Sequence, residues 1–386
     1  MRRLAWHYRQ EAPGAGGSLN ASVDQSDRRR TALRDVGELA GVQYLRGVAA
    51  IMVLIYHVPV QLGRMGYAGP WPAGLAGGVD IFYVISGFIM WVTTVGRPQD
   101  TPLTFWRRRI LRIVPLYWAV TGFVTALMLV SPGLLQSSRF DLAHVAASFL
   151  FVGYSHPLTH MIEPVVIPGW TLNHEMFFYL LFGLFLLVPA SWRFAGMIAT
   201  LALLVLLGSI SRQAPDSVGG FYTSGMLLEF GLGVAVGVIA TRGAGLARLS
   251  SATGWAMLAI GAAGVMMLPQ VVALPRLLAS GLPSALLLAG LLVVEAHHGL
   301  FRSALLHGMG DASYSIYLSH MITLSATSQL WRALGLATDL RALALYALLS
   351  IAISVAAGCL LYLLVEKPLS RRLGRQQRLH AGLATA

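Results

Sequence analysis

The sequence predicts an all-α, polytopic integral membrane bundle of about ten transmembrane helices with one re-entrant or interfacial helix. Three observations carry that expectation. The 386 residues are 56% hydrophobic and only 11% charged, whereas a soluble domain carries roughly 25% charged residues. A water-exposed surface cannot be built from so few charges. Apolar runs of about the 20 residues needed to span a bilayer recur along the chain. Arginine clusters fall between alternate runs, the pattern that orients helices in a membrane. Long soluble domains, collagenous repeats and disulfide scaffolds are excluded, and the single cysteine, Cys359, has no intrachain partner.

Residues 1–40 are polar, with Gly14, Gly16, Gly17 and the run Arg28 to Arg30, and read as a disordered cytoplasmic tail. Arg2 and Arg3 are not followed by the short apolar region of a cleaved signal peptide. The first apolar run, about 42–62, therefore acts as an uncleaved signal anchor. Further runs lie near 78–96, 110–131, 170–190, 194–211, 221–241, 252–271, 278–297, 312–334 and 341–365. A weaker stretch, about 141–154, contains Asp141 and His144 and reads as the re-entrant or interfacial helix, with a full span as the alternative. The membrane domain covers 41–367, and a basic cytoplasmic tail covers 368–386.

The net charge of +12 is almost all arginine, because Lys367 is the only lysine. A Schiff-base lysine within the membrane is therefore not available. Arg107, Arg108, Arg109 and Arg112 follow the second run. Arg193, the pair Arg242 and Arg248, then Arg302, occupy alternate later loops. Lys367, Arg371, Arg372, Arg375 and Arg378 follow the last run. All fall on one side if 141–154 does not cross, and that side is the cytoplasm, with both termini in it. Arg212, Arg276 and Arg332 fall on the other side as exceptions. This placement favours a lipid bilayer as the partner of the basic charge and leaves no nucleic acid to expect.

Polar residues inside spans are costly and ask for explanation. Arg46 and His57 lie eleven residues apart in the first run, which is about three helical turns, so they share a face about 16 Å apart. An imidazole is the usual general base, whereas Arg46 also suits an interfacial anchor. Asp80 opens the second run at the expected depth of His57. It serves equally to orient that imidazole, as in a triad, or to cap the helix. Arg109 and Arg112 share a helix face, and two guanidinium forks at a membrane surface suit phosphate; Arg107 and Arg108 read as anchors. Glu175 opens the fifth run among Trp170, Phe177 and Tyr179. It is expected at the depth of His57, where a His–Glu pair across two helices builds an acid–base site. Glu229 reads as a structural carboxylate bonded to a neighbouring helix. Ser86 and Gly87 read as a close-packing position, as do Gly233 and Gly237. Tyr314 and Tyr317 share a face and read as aromatic-belt anchors, and His320 is placed in the cavity of Arg46. Cys359 reads as inert core, and no metal site is expected.

Six elements in order resemble the membrane-bound acyltransferase-3 family over about residues 40–370. They are Arg46 with His57, Asp80 through Ser86 and Phe88, Arg109-Ile-Leu-Arg112-Ile-Val-Pro115-Leu-Tyr117, Trp170 through Glu175, Ser313 through Tyr317 and His320, and Glu366-Lys-Pro368. The run Gly169 to Tyr179 is similar to the exopolysaccharide-production, O-acetyltransferase branch, in which tyrosine usually precedes the glutamate; here His174 stands there. The resemblance implies a membrane-bound O-acyltransferase of the bacterial inner membrane. It would move an acyl group, acetyl in the first instance, from cytoplasmic acyl-CoA to a hydroxyl of a glycan or lipid-linked glycan. It implies a catalytic set of His57, Glu175, Arg46 and Asp80. Its donor-binding set is Arg109, Arg112, Tyr117, Tyr317 and His320, with acyl-CoA as co-substrate and no tightly bound cofactor. A transporter or glycan-export component without transferase chemistry is the alternative. It accounts equally well for the spans and the intramembrane charges but not for an arginine pair at the cytoplasmic mouth with His57 and Glu175 together at the outer end.

Overall fold

Each apolar run folds as a helix because a backbone in hydrocarbon must satisfy its own N–H and C=O groups. The computed structural model describes residues 39–373 apart from 96, 98–99, 132, 134–138, 243–244 and 272–273. The tail expected over 1–40 lies almost wholly outside the described residues, as does most of the one expected over 368–386. In chain order the helices are α1 (Ala40–Gly63), α2 (Gly78–Val95), α3 (Pro102–Val130), α4 (Leu142–Phe149), α5 (Trp170–Phe185), α6 (Ala190–Ile210) and α7 (Val218–Tyr222). They continue with α8 (Leu227–Thr241), α9 (Ser251–Val271), α10 (Leu282–His298), α11 (Ala304–Asp311), α12 (Ser313–Ala333) and α13 (Leu340–Leu361). Among the described residues there is no strand, only an isolated antiparallel bridge between Ser155 and Ile162.

Among the described residues, eight stretches are long and apolar enough to cross a membrane by themselves. The two remaining runs of the expected ten are α5 and α12, and each departs for a physical reason. α5 has 16 residues and rises only about 24 Å. α12 has 21 residues but carries Ser313, Ser315, Ser319, His320, Thr323, Thr327 and Ser328. Both helices line the interior, where polar groups find partners that lipid cannot offer. The chain is a multi-pass membrane protein.

α4 has eight residues, so it rises about 12 Å against a hydrocarbon core of about 30 Å. Asp141 caps it by accepting from the His144 N–H at 2.7 Å. The stretch 141–154 therefore does not cross as a helix. Beyond it, Val165, Val166, Pro168 and Gly169 are buried, so the chain leading into α5 is folded into the bundle. α3 starts at a capping box between Thr101 and Thr104 with Pro102 at the first helical position, the residue types that satisfy a helix N-terminus.

α2 and α8 approach closely. A Cβ built on Gly87 would meet the Phe230 carbonyl at 2.0 Å, and one on Gly233 the Val84 carbonyl at 1.9 Å. Only glycine permits that contact, which is the packing role expected for both. The charge asymmetry also resolves. Arg276, an exception to the one-sided pattern, donates from Nε and a terminal nitrogen to both carboxylate oxygens of Asp80, at 2.9 and 3.0 Å. Its Nε also lies 3.4 Å from Glu229. It is an ion-pair partner rather than a topogenic charge.

Candidate active site

A pocket in the middle of the bundle is lined by charged groups from α1, α3 and α5. Arg46 comes from α1, Arg109 and Arg112 from α3, and Glu175 with Tyr179 from α5; Ser86, Tyr314 and Tyr317 are among the other polar residues of the wall. The Glu175 carboxylate accepts from the Ser86 hydroxyl at 2.7 Å and from the Tyr179 hydroxyl. Ser86 thus has a polar task, whereas its neighbour Gly87 has the packing one. The three arginines are only lightly engaged by the protein. Arg46 donates to Gln43 at 3.3 Å. Arg109 donates to Thr93 at 3.3 Å, and its guanidinium lies over the Phe105 and Tyr179 rings at 5.6 and 5.9 Å. Its Nε is buried without a partner. Arg46 lies within charge–charge reach of Arg112, Glu366 and Glu175. Glu366 arrives from a π-helical turn, Tyr362–Glu366, that prolongs α13, and it accepts from Ser315 at 2.5 Å. Arg107 is exposed and Arg108 pairs with Asp100, as expected of surface anchors.

The three guanidinium groups, balanced by few carboxylates, form a cationic cradle: the Arg109 Nε is buried without a partner, Arg46 is partly buried and Arg112 is exposed.

His57 stands apart from that cradle. Its Nδ1 lies 2.8 Å from the Val53 carbonyl and 3.3 Å from Nε2 of the buried His320. The two imidazole centroids are 5.0 Å apart. His320 follows Tyr317 by one turn of α12, their rings 5.8 Å apart, and Tyr317 lines the pocket. The histidines therefore sit one aromatic ring beyond the arginine pocket.

The expected His57–Glu175 pair is not formed. The expectation counted depth from Trp170 as though it stood at the membrane surface. Instead α5 begins inside the bundle: the Thr171 and Tyr317 hydroxyls are 2.8 Å apart. Glu175 lies one further turn toward the arginines, and His320, with His57, lies one turn the other way. Asp80 is also not beside His57, because Arg276 of the segment entering α10 holds it together with Glu229. Tyr117, expected at the donor site, is instead core: it is fully buried, 4.6 Å from the Phe151 ring, and it does not line the pocket. Tyr317 lines the same pocket as Arg109 and Arg112. His320 shares the His57 contact rather than the arginine wall.

Three groups at the site carry no strong sequence signal. Tyr314 reads as a belt residue, yet its hydroxyl donates to the Ile113 carbonyl at 2.8 Å and it lines the pocket. Tyr179 is visible only through its i, i+4 spacing from Glu175. Tyr83 lines the pocket and is held from behind by His174. The His174 Nε2–H donates to the Phe221 carbonyl at 2.8 Å, leaving Nδ1 to accept from the Tyr83 hydroxyl at 3.3 Å. His174 is a buried clamp between α2 and α7.

Comparison with known proteins agrees with this architecture. The acyltransferase domain family matches residues 39–363. The exopolysaccharide production protein ExoZ of Rhizobium meliloti (strain 1021) is 39% identical over 334 residues, covering 86% of this chain and 98% of the relative. The acyltransferase MdmB of Streptomyces mycarofaciens is 28% identical over 78% of this chain and 82% of its own. The peptidoglycan O-acetyltransferase OatA of Listeria monocytogenes is 30% identical over 38% of this chain and 24% of its own. No solved structure matches the chain. The chain belongs to the acyltransferase-3 family. It is a membrane-bound acyltransferase, which sets aside a transporter without transferase chemistry.

Proposed function

We propose that the protein transfers an acyl group, acetyl in the first instance, from acyl-CoA to a hydroxyl of an exported or surface glycan. The observation that carries this reading is the trio Arg46, Arg109 and Arg112 around a pocket one ring away from His57. The names of the ExoZ and OatA relatives supply the acceptor class and the ester linkage. Arg109 and Arg112 hold the CoA phosphates, and Glu175 balances Arg46 and Arg109 so that the three guanidinium groups remain close together. The acylated arm runs past Tyr317 toward His57.

His57 Nε2 takes the proton of the acceptor hydroxyl as its oxygen attacks the thioester carbonyl. The carbon–sulfur bond then breaks, and the imidazolium returns that proton to the departing thiolate. The products are the acylated glycan and CoA thiol, with no net proton change.

A guanidinium fork matches phosphate oxygens two at a time, and an ammonium does not. Arg112→Lys is therefore expected to raise the KM for acetyl-CoA about tenfold, the loss of roughly one charge-assisted hydrogen bond, with kcat little changed. Steady-state kinetics with the purified enzyme measure it. An unchanged donor dependence would reduce the arginine pair to anchors.

The arginine side of the bundle faces the cytoplasm of a bacterial inner membrane in this reading, with both termini there. In a Cys359→Ser background, Ala337→Cys between α12 and α13 is expected to react with an impermeant maleimide from the outer face only. Arg371→Cys beyond α13 reacts only after the membrane is opened. Labelling of both from the same face is incompatible with this orientation.

A further inference from the structure

The two histidines can be given definite tautomers from their hydrogen bonds. A carbonyl oxygen can only accept, so the Val53 carbonyl, 2.8 Å away, assigns a proton to His57 Nδ1. The Tyr317 carbonyl lies 2.5 Å from His320 Nδ1 and assigns a proton there in the same way. Neutral His320 then carries its lone pair on Nε2, the atom 3.3 Å from His57 Nδ1. Neutral His57 carries its lone pair on Nε2, which makes no hydrogen bond among the described residues. Both rings are therefore turned for one task. The free His57 nitrogen is basic, and the nitrogen that must remain protonated is held by two acceptors.

We infer that His320 is the positioning residue of the acyl-transfer reaction, a neutral imidazole in the place where a triad carries a carboxylate. This inference rests on the reading of His57 as general base. When His57 Nε2 accepts the hydroxyl proton, the positive charge spreads to Nδ1–H. His320 Nε2 and the Val53 carbonyl accept from that N–H and stabilise the imidazolium. A neutral acceptor suits the setting. His320 is fully buried, and a permanent carboxylate there would need a compensating charge before any proton moved. The arrangement also holds the ring plane, because one acceptor comes from α1 itself and the other from α12. Tyr317 links the pair to the pocket: its backbone carbonyl sets the His320 tautomer while its side chain lines the donor wall.

The test compares His320→Gln with His320→Leu in purified enzyme. Gln retains an acceptor near the position of Nε2, and Leu removes it. Should His320→Leu not fold, His320→Met takes its place. A hydrogen bond to a charged group is worth about 10–100-fold in rate when it is lost. The Leu variant is expected to lose kcat by that factor with the KM for acetyl-CoA unchanged, and the Gln variant to recover much of the loss. A packing role would instead lower thermal stability and leave both variants equally impaired in kcat. Wild-type kcat in His320→Leu, or equal losses in the two variants, overturns the inference. An active His57→Ala enzyme overturns the general-base reading itself. An inactive His57→Ala with a fully active His320→Leu overturns only the role of His320.

Discussion

His57→Ala is expected to lose acyl transfer by about 10²–10⁴-fold, the usual loss on removing a general base. The substitution takes away the one half-buried imidazole nitrogen at the site left free by its hydrogen bonds. It leaves the arginine pocket untouched, since His57 contacts His320 and Val53 rather than Arg46, Arg109 or Arg112. The protein should therefore insert, fold and bind CoA as the parent does. Thiol release from acetyl-CoA and acetyl content of the glycan, measured on purified enzyme, check the loss. CoA binding by calorimetry checks that the pocket survives. A variant with parental transfer rates would end the mechanism.

The second large effect concerns stability. Asp80 is 1% exposed and Glu229 0% exposed, and Arg276 is the cation that both contact. Breaking a buried ion pair by removing one partner costs about 3–5 kcal/mol, because the remaining charge is left without compensation. Arg276 is itself 38% exposed at the side chain, so water offsets part of that, and Arg276→Met is expected toward the lower end. Asp80→Asn in the same chain should recover part of the loss by removing one of the stranded carboxylates. Thermal unfolding in detergent reads both. An Arg276→Met variant as stable as the parent would mean the triad contributes nothing to holding α2, α8 and α10 together.

The architecture was largely legible because a membrane span announces itself by length and hydropathy alone. α12 was legible from its 312–334 run even though its serines and threonines lower its hydropathy. α4 was recognised as non-crossing from the brevity of 141–154 and from Asp141, which caps it. The arginine wall was legible because Arg109 and Arg112 share a helix face. What did not follow from the sequence was depth. Nothing in the stretch before Trp170 marks it as folded into the bundle, so the sequence places Glu175 level with His57, whereas its carboxylate meets Ser86 and Tyr179. Pairing between distant helices was equally hidden. Arg276 lies 196 residues from Asp80, and His320 lies 263 residues from His57. No local periodicity carries such contacts. Ser86 illustrates the same limit on a smaller scale, because a Ser-Gly step reads as packing unless the carboxylate opposite it is known.

On the proposed reading, this chain moves an acyl group from acyl-CoA to a glycan hydroxyl through one pocket. The most direct measurement reconstitutes the full-length enzyme in liposomes with acetyl-CoA and a glycan fragment. Free thiol and acetyl ester on the glycan are then followed in the same reaction. Thiol release is expected to depend on the glycan and to equal the acetyl groups found on it. Both signals should vanish together in His57→Ala. Thiol release that ignores the glycan, or glycan that gains no acetyl group while acetyl-CoA is present, would contradict that reading.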